Sequence, residues 1–246
     1  MEAERRFHRV IDFLGEEGFR KVRGSCVTVF GLGGVGCHAA LALARSGIGS
    51  LRLVDFDRLT ATSLNRNPLA GPEDCGRSKV DIVACSLRRM CPDTAVTTEE
   101  TFFHADTAGS LLAPAPNAVI DAIDSLNPKA ALLEECLARG IPVFSSMGAS
   151  GRRDPGQLRT GDISETMGCP LARQLRKYLR KRGIEEGIAC VYSIEPADGH
   201  SLPPDHEDIT LRRGRVRNRI PSLITIPGIF GYTLAGMVLD FIAGVE

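Results

Sequence analysis

Short runs of β-branched and apolar residues recur through the first 150 positions, each followed by a longer stretch with helical spacing. The runs are CVTVF (26–30), SLRLVD (50–55), AVTTE (95–99), NAVIDA (117–122) and IPVFSS (141–146). Between them, 35–45, 77–91, 105–112 and 128–139 read as helices. Strand and helix in alternation predict a doubly wound, Rossmann-like α/β fold, with a mainly parallel sheet and right-handed crossovers. Ligands in such folds sit at the carboxyl ends of the strands, so the residues just after each run carry the most interest.

Past about residue 150 the rhythm changes. SGRRDPGQLRTGDIS reads as a turn and short strands, and CPLARQLRKYLRKRG as a basic amphipathic helix. Residues 196–219, polar and rich in Pro and Gly, read as a mobile loop. LITIPGIFGYTLAGMVLDFI reads as a buried strand followed by a buried helix that completes the domain. Its uncharged part, Leu223 to Leu239, is 17 residues interrupted by Pro227. A spanning helix needs roughly 20, so stable membrane insertion is not expected. At 246 residues, one large domain over 1–246 is expected.

Composition narrows the partners. Hydrophobic residues make up 43% and charged residues 24%, and the formal net charge is zero. No global field therefore advertises nucleic acid, and such binding would need local clusters. Two are present: Arg173, Arg176, Lys177, Arg180, Lys181 and Arg182 in one, and Arg212, Arg213, Arg215, Arg217 and Arg219 in the other. Either could contact phosphates or be a solvated face. Eight cysteines lie between Cys26 and Cys190 with no CxxC pair, which argues against a zinc ribbon or a disulfide framework. The N-terminus MEAERRFHRV lacks an apolar signal core, so a cytoplasmic protein is expected.

GLGGVG supplies the first candidate chemistry. Gly31, Gly33 and Gly36 satisfy GxGxxG between a strand and a helix, with Gly34 and Val35 completing the loop and Asp55 ending the next strand. Such a loop approaches phosphate closely and aims a helix N-terminus at it, while the acid binds ribose hydroxyls. This does not separate NAD from ATP. Downstream of Asp55 and Asp57, Arg66 and Lys79 offer two fixed cations at the same sheet edge. A triphosphate attacked at its α-phosphorus needs such cations, although either alone could be surface charge. Finally VIDAIDS delivers Asp121 and Asp124 at a strand end. The hard oxygens of Asp124 suit Mg²⁺ bridging phosphates, and Asp124 or Ser125 could instead cap the next helix.

GLGGVG, VDFD, SLNR, GRSK and DAID, in that order and spacing, resemble the adenylating domain of ubiquitin-activating enzymes and their bacterial relatives that activate sulfur-carrier proteins. RFHRVIDFLGEEGFRKVRGSCVTVFGLGGVG, VIDAIDSLNPKAALLEECLARGIPVFSSMGA, DPGQLRTGDIS and CVYSIEP resemble, within that superfamily, the tRNA threonylcarbamoyladenosine dehydratases. The resemblance implies a nucleotide-binding core at about 24–147 and a substrate- and dimer-related part at about 148–246. It implies that the glycine loop with Asp55, Asp57, Ser63, Asn65 and Ser125 holds ATP, and that Arg66 and Lys79 bind its triphosphate. Asp124 would organise Mg²⁺ and the reacting phosphate, and Arg9 would reach across a homodimer into the partner's site. The substrate implied is a modified adenosine in the anticodon loop of tRNA, and a sulfur-relay protein is an implied further partner. Three positions depart from the pattern: relatives carry Asn where Ser63 stands, Gln where Asn67 stands and often an acid where Cys169 stands. A second reading is activation of a ubiquitin-like or sulfur-carrier C-terminus with Cys169 as thioester nucleophile. Cys169 reads better as a small buried residue at a helix entrance. An NAD-dependent oxidoreductase ranks last, because no acid/base pair for hydride transfer is evident.

Overall fold

The computed structural model describes residues 2–197, 202–203 and 220–245. Seven strands form one sheet: β1 (Cys26–Phe30), β2 (Ser50–Val54), β3 (Ala95–Glu99), β4 (Ala118–Asp121), β5 (Val143–Ser146), β6 (Leu158–Asp162) and β7 (Ala189–Ser193). Their order is β3-β2-β1-β4-β5-β7-β6, and every pairing is parallel except β6 with β7. The order reverses between β1 and β4, which makes the crevice above their carboxyl ends the expected ligand site.

The central strands are covered on both faces, which explains their unbroken apolar character: Val27, Val29, Val119 and Ile120 are fully buried. One face carries α1 (Glu2–Arg23), α2 (Gly36–Arg45), α3 (Lys79–Met90) and α7 (Thr225–Ala243). The other carries α4 (Ala105–Leu111), α5 (Leu126–Ala138) and α6 (Pro170–Arg180). The five runs expected as strands and the four stretches expected as helices all form, with ends shifted by up to two residues.

Three differences from the sequence reading matter. Residues 223–243 contain no strand: α7 begins at Thr225 and runs through to Ala243. Pro227 misleads here, because at the third position of a helix its missing N–H is one that the helix would leave unpaired anyway. The 19-residue α7 has a mean hydropathy of 1.6, yet it is wedged between α1, α2, β5 and β7 as a core helix. Second, α1 was not marked by any run. It breaks at Gly15 (φ 72°), which lets Phe7 and Phe19 stack at 5.4 Å. Third, β7 within CVYSIEP joins the sheet beside β5. The expected mobile loop at 196–219 lies mostly outside the described residues, as does the basic cluster Arg212–Arg219.

β6 turns back along β7 and is locked at its far end by Asp162. One carboxylate oxygen accepts the Ser164 N–H at 2.8 Å and its hydroxyl at 2.7 Å; the other accepts the Gly187 and Ile188 N–H groups at 2.7 and 2.9 Å. Burial works to raise the carboxyl's pKa, but these four donors overrule it and hold it below the ordinary value. A depressed folded-state pKa stabilises above the unfolded value of about 3.9 and is lost as pH falls through the folded one. Asp162→Asn should therefore lower Tm by a few degrees at neutral pH, and the gap to wild type should close as the wild type is acidified below about pH 4. Parallel melting curves across pH measure this, and a gap independent of pH would refute the charge assignment.

Candidate active site

The crevice is built first by glycine. The chain leaves β1 at Phe30 and turns at Gly31, whose φ of 87° favours a residue without Cβ. A Cβ there would stand 2.8 Å from the Ala122 carbonyl oxygen, and one at Gly36 would stand 1.8 Å from the Gly31 oxygen. The glycine loop therefore lies directly against the segment that follows β4. Gly33 differs: it is exposed, and nothing stands within 4 Å of where its Cβ would be. That open side faces a cleft lined also by Gly34, Ser63, Arg66 and Lys79, with Leu32, Leu59 and Asn67 completing the wall.

Each wall residue is held by a local cause. Val35 is the helical N-cap of α2, so the helix N-terminus opens beside Gly33 and Gly34. His38 Nδ1–H donates to the Gly34 carbonyl at 2.8 Å, and burial keeps the imidazole's pKa below its ordinary value. Across the cleft a six-residue 3-10 helix, Ala61–Arg66, presents Ser63 and Arg66. The Ser63 hydroxyl lies 2.9 Å from that of Thr60. The Arg66 guanidinium donates to the Thr62 carbonyl at 2.8 Å and to Asn65 Oδ1 at 3.2 Å, while its stem passes over Gly34. Asn67, buried, accepts the Leu69 N–H at 2.9 Å.

The floor is charged. Asp55 follows β2 almost fully buried, with one oxygen accepting the Leu32 N–H at 2.6 Å and the other the Asp57 N–H at 2.8 Å. One lone pair on each oxygen remains. Lys79 opens α3, and its ammonium donates to Asp57 Oδ2 at 2.8 Å. Burial works to strip that ammonium of its proton, but Asp55, Asp57 and, more weakly, Asp124 overrule it and raise its pKa. Lys79 is thus a fixed cation at neutral pH. For Asp55 burial is the largest influence and pushes its carboxyl upward, against the pull of Lys79.

Of the expected site residues, the cleft brings together Gly33, Gly34, Ser63, Arg66 and Lys79, with Gly31, Gly36, Asp55 and Asp57 behind them. Asp124, exposed after β4, is close enough for its charge to act on Lys79, and the Ser125 hydroxyl donates to its Oδ1 at 3.2 Å. Ser125 stands at the N-cap position of α5, and its side chain makes no cap hydrogen bond there. Asn65 does not line the cleft: its amide donates to the Ser222 carbonyl at 3.0 Å while its Oδ1 accepts from Arg66. Arg9 is exposed on α1 and does not line the cleft. Asp121 does not join Asp124: it points inward, fully buried, to Lys129. The sequence reading missed Lys129, Leu32 and Leu59. A lone lysine on the otherwise apolar face of LNPKAALLEECLA was the available signal for the first.

Among the described residues no group of three or more His, Cys, Asp or Glu side chains could hold a metal by itself. Cys169 is the N-cap of α6 and is buried; its sulfur accepts the Gly148 and Ala172 N–H groups at 3.4 and 3.5 Å. That is the packing of a structural thiol. Cys169→Ala should accordingly leave catalytic turnover within about twofold of wild type, and a loss of activity would return the thioester reading.

A glycine loop at the reversal point of a parallel sheet, faced by an arginine and a fixed ammonium, defines a nucleotide-binding α/β protein that handles phosphate groups. The chain belongs to the ThiF family, which matches residues 6–246. It is similar to the tRNA threonylcarbamoyladenosine dehydratase 2 of Saccharomyces cerevisiae, 37% identical over 249 residues; these cover 95% of this chain but only 55% of the yeast protein. It is also similar to the tRNA threonylcarbamoyladenosine dehydratase of Bacillus subtilis, 34% identical, with 95% of this chain and 93% of that protein covered. Among solved structures, the Escherichia coli tRNA N6-threonylcarbamoyladenosine dehydratase in complex with ATP superposes with a TM-score of 0.86 at 30% identity, over 98% of this chain and 95% of that one.

Proposed function

We propose that this chain is an adenylating enzyme that uses ATP to dehydrate threonylcarbamoyladenosine in tRNA. The observation that carries the reading is the convergence of the open glycine loop, Arg66 and Lys79 on one cleft, with Asp124 close enough for its charge to act on Lys79. A carboxylate is a poor electrophile because its leaving group would be an oxide. Attack of the substrate's carboxylate on the α-phosphorus of ATP, with pyrophosphate leaving, converts it to a mixed anhydride. The neighbouring carbamoyl group then attacks the activated carbonyl, AMP leaves, and the ring closes with a proton released. An intramolecular attack of this kind gains from proximity and needs no enzyme nucleophile.

Arg66 and Lys79 neutralise the triphosphate, the Gly33–Gly34 stretch and the N-terminus of α2 hold its phosphates, and Asp55 takes the ribose with its remaining lone pairs. The donor set suits Mg²⁺, which prefers one or two carboxylates plus substrate phosphates to a cage built by the protein. Asp124 would hold it, and the ion's positive charge would then draw electron density from the reacting phosphate. The enzyme works as a homodimer in the cytoplasm. Arg9 and the exposed apolar side chains of Phe13 on α1 and of Tyr232 and Phe241 on α7 support a contact with a second copy.

The test is incubation with ATP, Mg²⁺ and threonylcarbamoylated tRNA, followed by nucleoside mass analysis. Loss of one water from the modified adenosine, with AMP formed, is expected. No loss of water, with AMP transferred instead to the C-terminus of a small carrier protein, would overturn the reading.

Helix α6 supports an RNA substrate more specifically than its composition did. Arg182 pairs with Glu134 at 2.8 Å and stacks on Tyr178, and Arg176 donates to Thr166. The other four, Arg173, Lys177, Arg180 and Lys181, are exposed and share one helical face extending about 12 Å. Changing all four to Glu should weaken tRNA binding and reduce the slope of log K against log salt by about 3, while ATP affinity is kept. Unchanged tRNA affinity would remove α6 from the interface.

A further inference from the structure

Behind the cleft lies a charge pair that binding and chemistry, as described, do not use. Asp121, the last residue of β4, and Lys129, in the second turn of α5, are both fully buried, with Lys129 Nζ 2.6 Å from Asp121 Oδ2. The same Oδ2 accepts the Ser145 hydroxyl at 2.7 Å. Taking two charges out of water is expensive, and an apolar pair of similar volume often stabilises a fold as well or better. Stability alone therefore gives little reason for this pair.

Its remaining bonds supply one. Asp121 Oδ1 accepts the Ile123 N–H at 3.1 Å, and Lys129 Nζ donates to the Ile123 carbonyl at 3.0 Å. Both polar groups of Ile123's backbone are thus gripped by the two ends of one ion pair. Those two groups belong to the peptide planes joining Ala122 to Ile123 and Ile123 to Asp124. The first plane is the surface against which Gly31 packs, since a Cβ there would meet the Ala122 oxygen at 2.8 Å and the Ile123 nitrogen at 3.2 Å. The second carries Asp124. One buried pair sets the orientation of Asp124 and its distance from the glycine loop together.

We propose that Lys129, with Asp121, is a positioning residue for Asp124: it locks both peptide planes of Ile123 so that the carboxylate meets the reacting phosphate in register with the glycine loop. This rests on the reading of Asp124 given above. A displacement of about 1 Å at a reacting group can reduce a rate about a hundredfold without reducing affinity. The pair therefore acts on turnover and not on nucleotide binding, since Arg66, Lys79 and Gly33 stand on other elements.

The test uses the full chain. Lys129→Met alone strands a buried carboxylate and can unfold the protein, so the informative variant is Lys129→Met/Asp121→Asn, which removes both charges. Expected are a melting temperature close to wild type, a dissociation constant for ATP within about threefold, and a kcat for AMP formation about a hundredfold lower. Hydrogen exchange at the Ile123 and Asp124 amides should be faster than in wild type. In an Asp124→Ala background the same two changes should lower kcat no further, because what they position is already gone. Unchanged kcat, an ATP affinity that falls along with kcat, an additive loss in that background, or failure of both variants to fold would each overturn the proposal. A wild-type protein that forms no AMP from ATP and modified tRNA would instead overturn the function on which it rests.

Discussion

Replacing Asp124 with alanine is expected to lower AMP formation from ATP and threonylcarbamoylated tRNA about a thousandfold, with ATP affinity changed only a few-fold. The residue stands exposed just after β4, and its charge acts on Lys79. Its removal leaves Arg66, Lys79 and the glycine loop intact, so the nucleotide still finds its binding groups. What disappears is the fixed negative charge proposed above to order the metal ion and the α-phosphate as pyrophosphate departs. Groups acting only on the transition state contribute about 10²- to 10³-fold each, and the proposed role of organising both phosphate and metal would place Asp124 at the upper end. Pyrophosphate release at saturating ATP, beside a separate nucleotide titration, measures it. Asp124→Asn should be nearly as slow, since it keeps the shape and loses the charge. Activity within tenfold of wild type in either variant would remove Asp124 from the chemistry.

Lys79→Met is expected to act on binding, turnover and the fold. The ammonium is the cation facing Asp55 and Asp57 from the start of α3, and both carboxylates raise its pKa. Without it, ATP affinity should fall about a hundredfold and turnover by at least as much, because the phosphates lose a desolvated positive charge. Stability should change with a particular pH signature. Asp55 is buried, and burial already pushes its carboxyl upward against the pull of Lys79. Removing Lys79 pushes it further, and a raised folded-state pKa means stability is lost as pH rises above the unfolded value of about 3.9. The variant's Tm deficit should thus be largest at neutral pH and shrink on acidification. A deficit that grows toward acid would show that Asp55 and Lys79 are not coupled in this way.

Much of the fold was legible because the sheet is parallel and covered on both faces, so each inner strand is a compact β-branched run and each crossover an amphipathic helix. What escaped detection followed other rules. α1 breaks at Gly15, which interrupts the period that would reveal it, and Pro227 suggested a boundary where it in fact sits in a first helical turn. In the site, motif order located Gly33, Arg66 and Lys79. The spacing set Asp121 and Asp124 at one strand end with Asp124 put forward for Mg²⁺, yet it did not reveal that Asp121 turns inward, which depends on a lysine five residues after Asp124. Asn65 illustrates the same limit, since it belongs to the motif and spends its amide on the Ser222 carbonyl.

The two outer strands have a consequence for solubility. A parallel sheet open at both ends offers rows of unpaired backbone groups on which other chains can polymerise. Here β3 and β6 are five residues each, and both edges are blunted. β3 exposes Thr97 and Glu99. On β6 the Arg159 guanidinium covers the Gly156 and Leu158 carbonyls at 2.9 and 2.7 Å, and Glu165 takes the Asp162 N–H at 2.9 Å. The strand that runs against the other six thus ends the sheet behind its own Arg159 and the Glu165 of the turn that follows it, which denies a template to fibril growth.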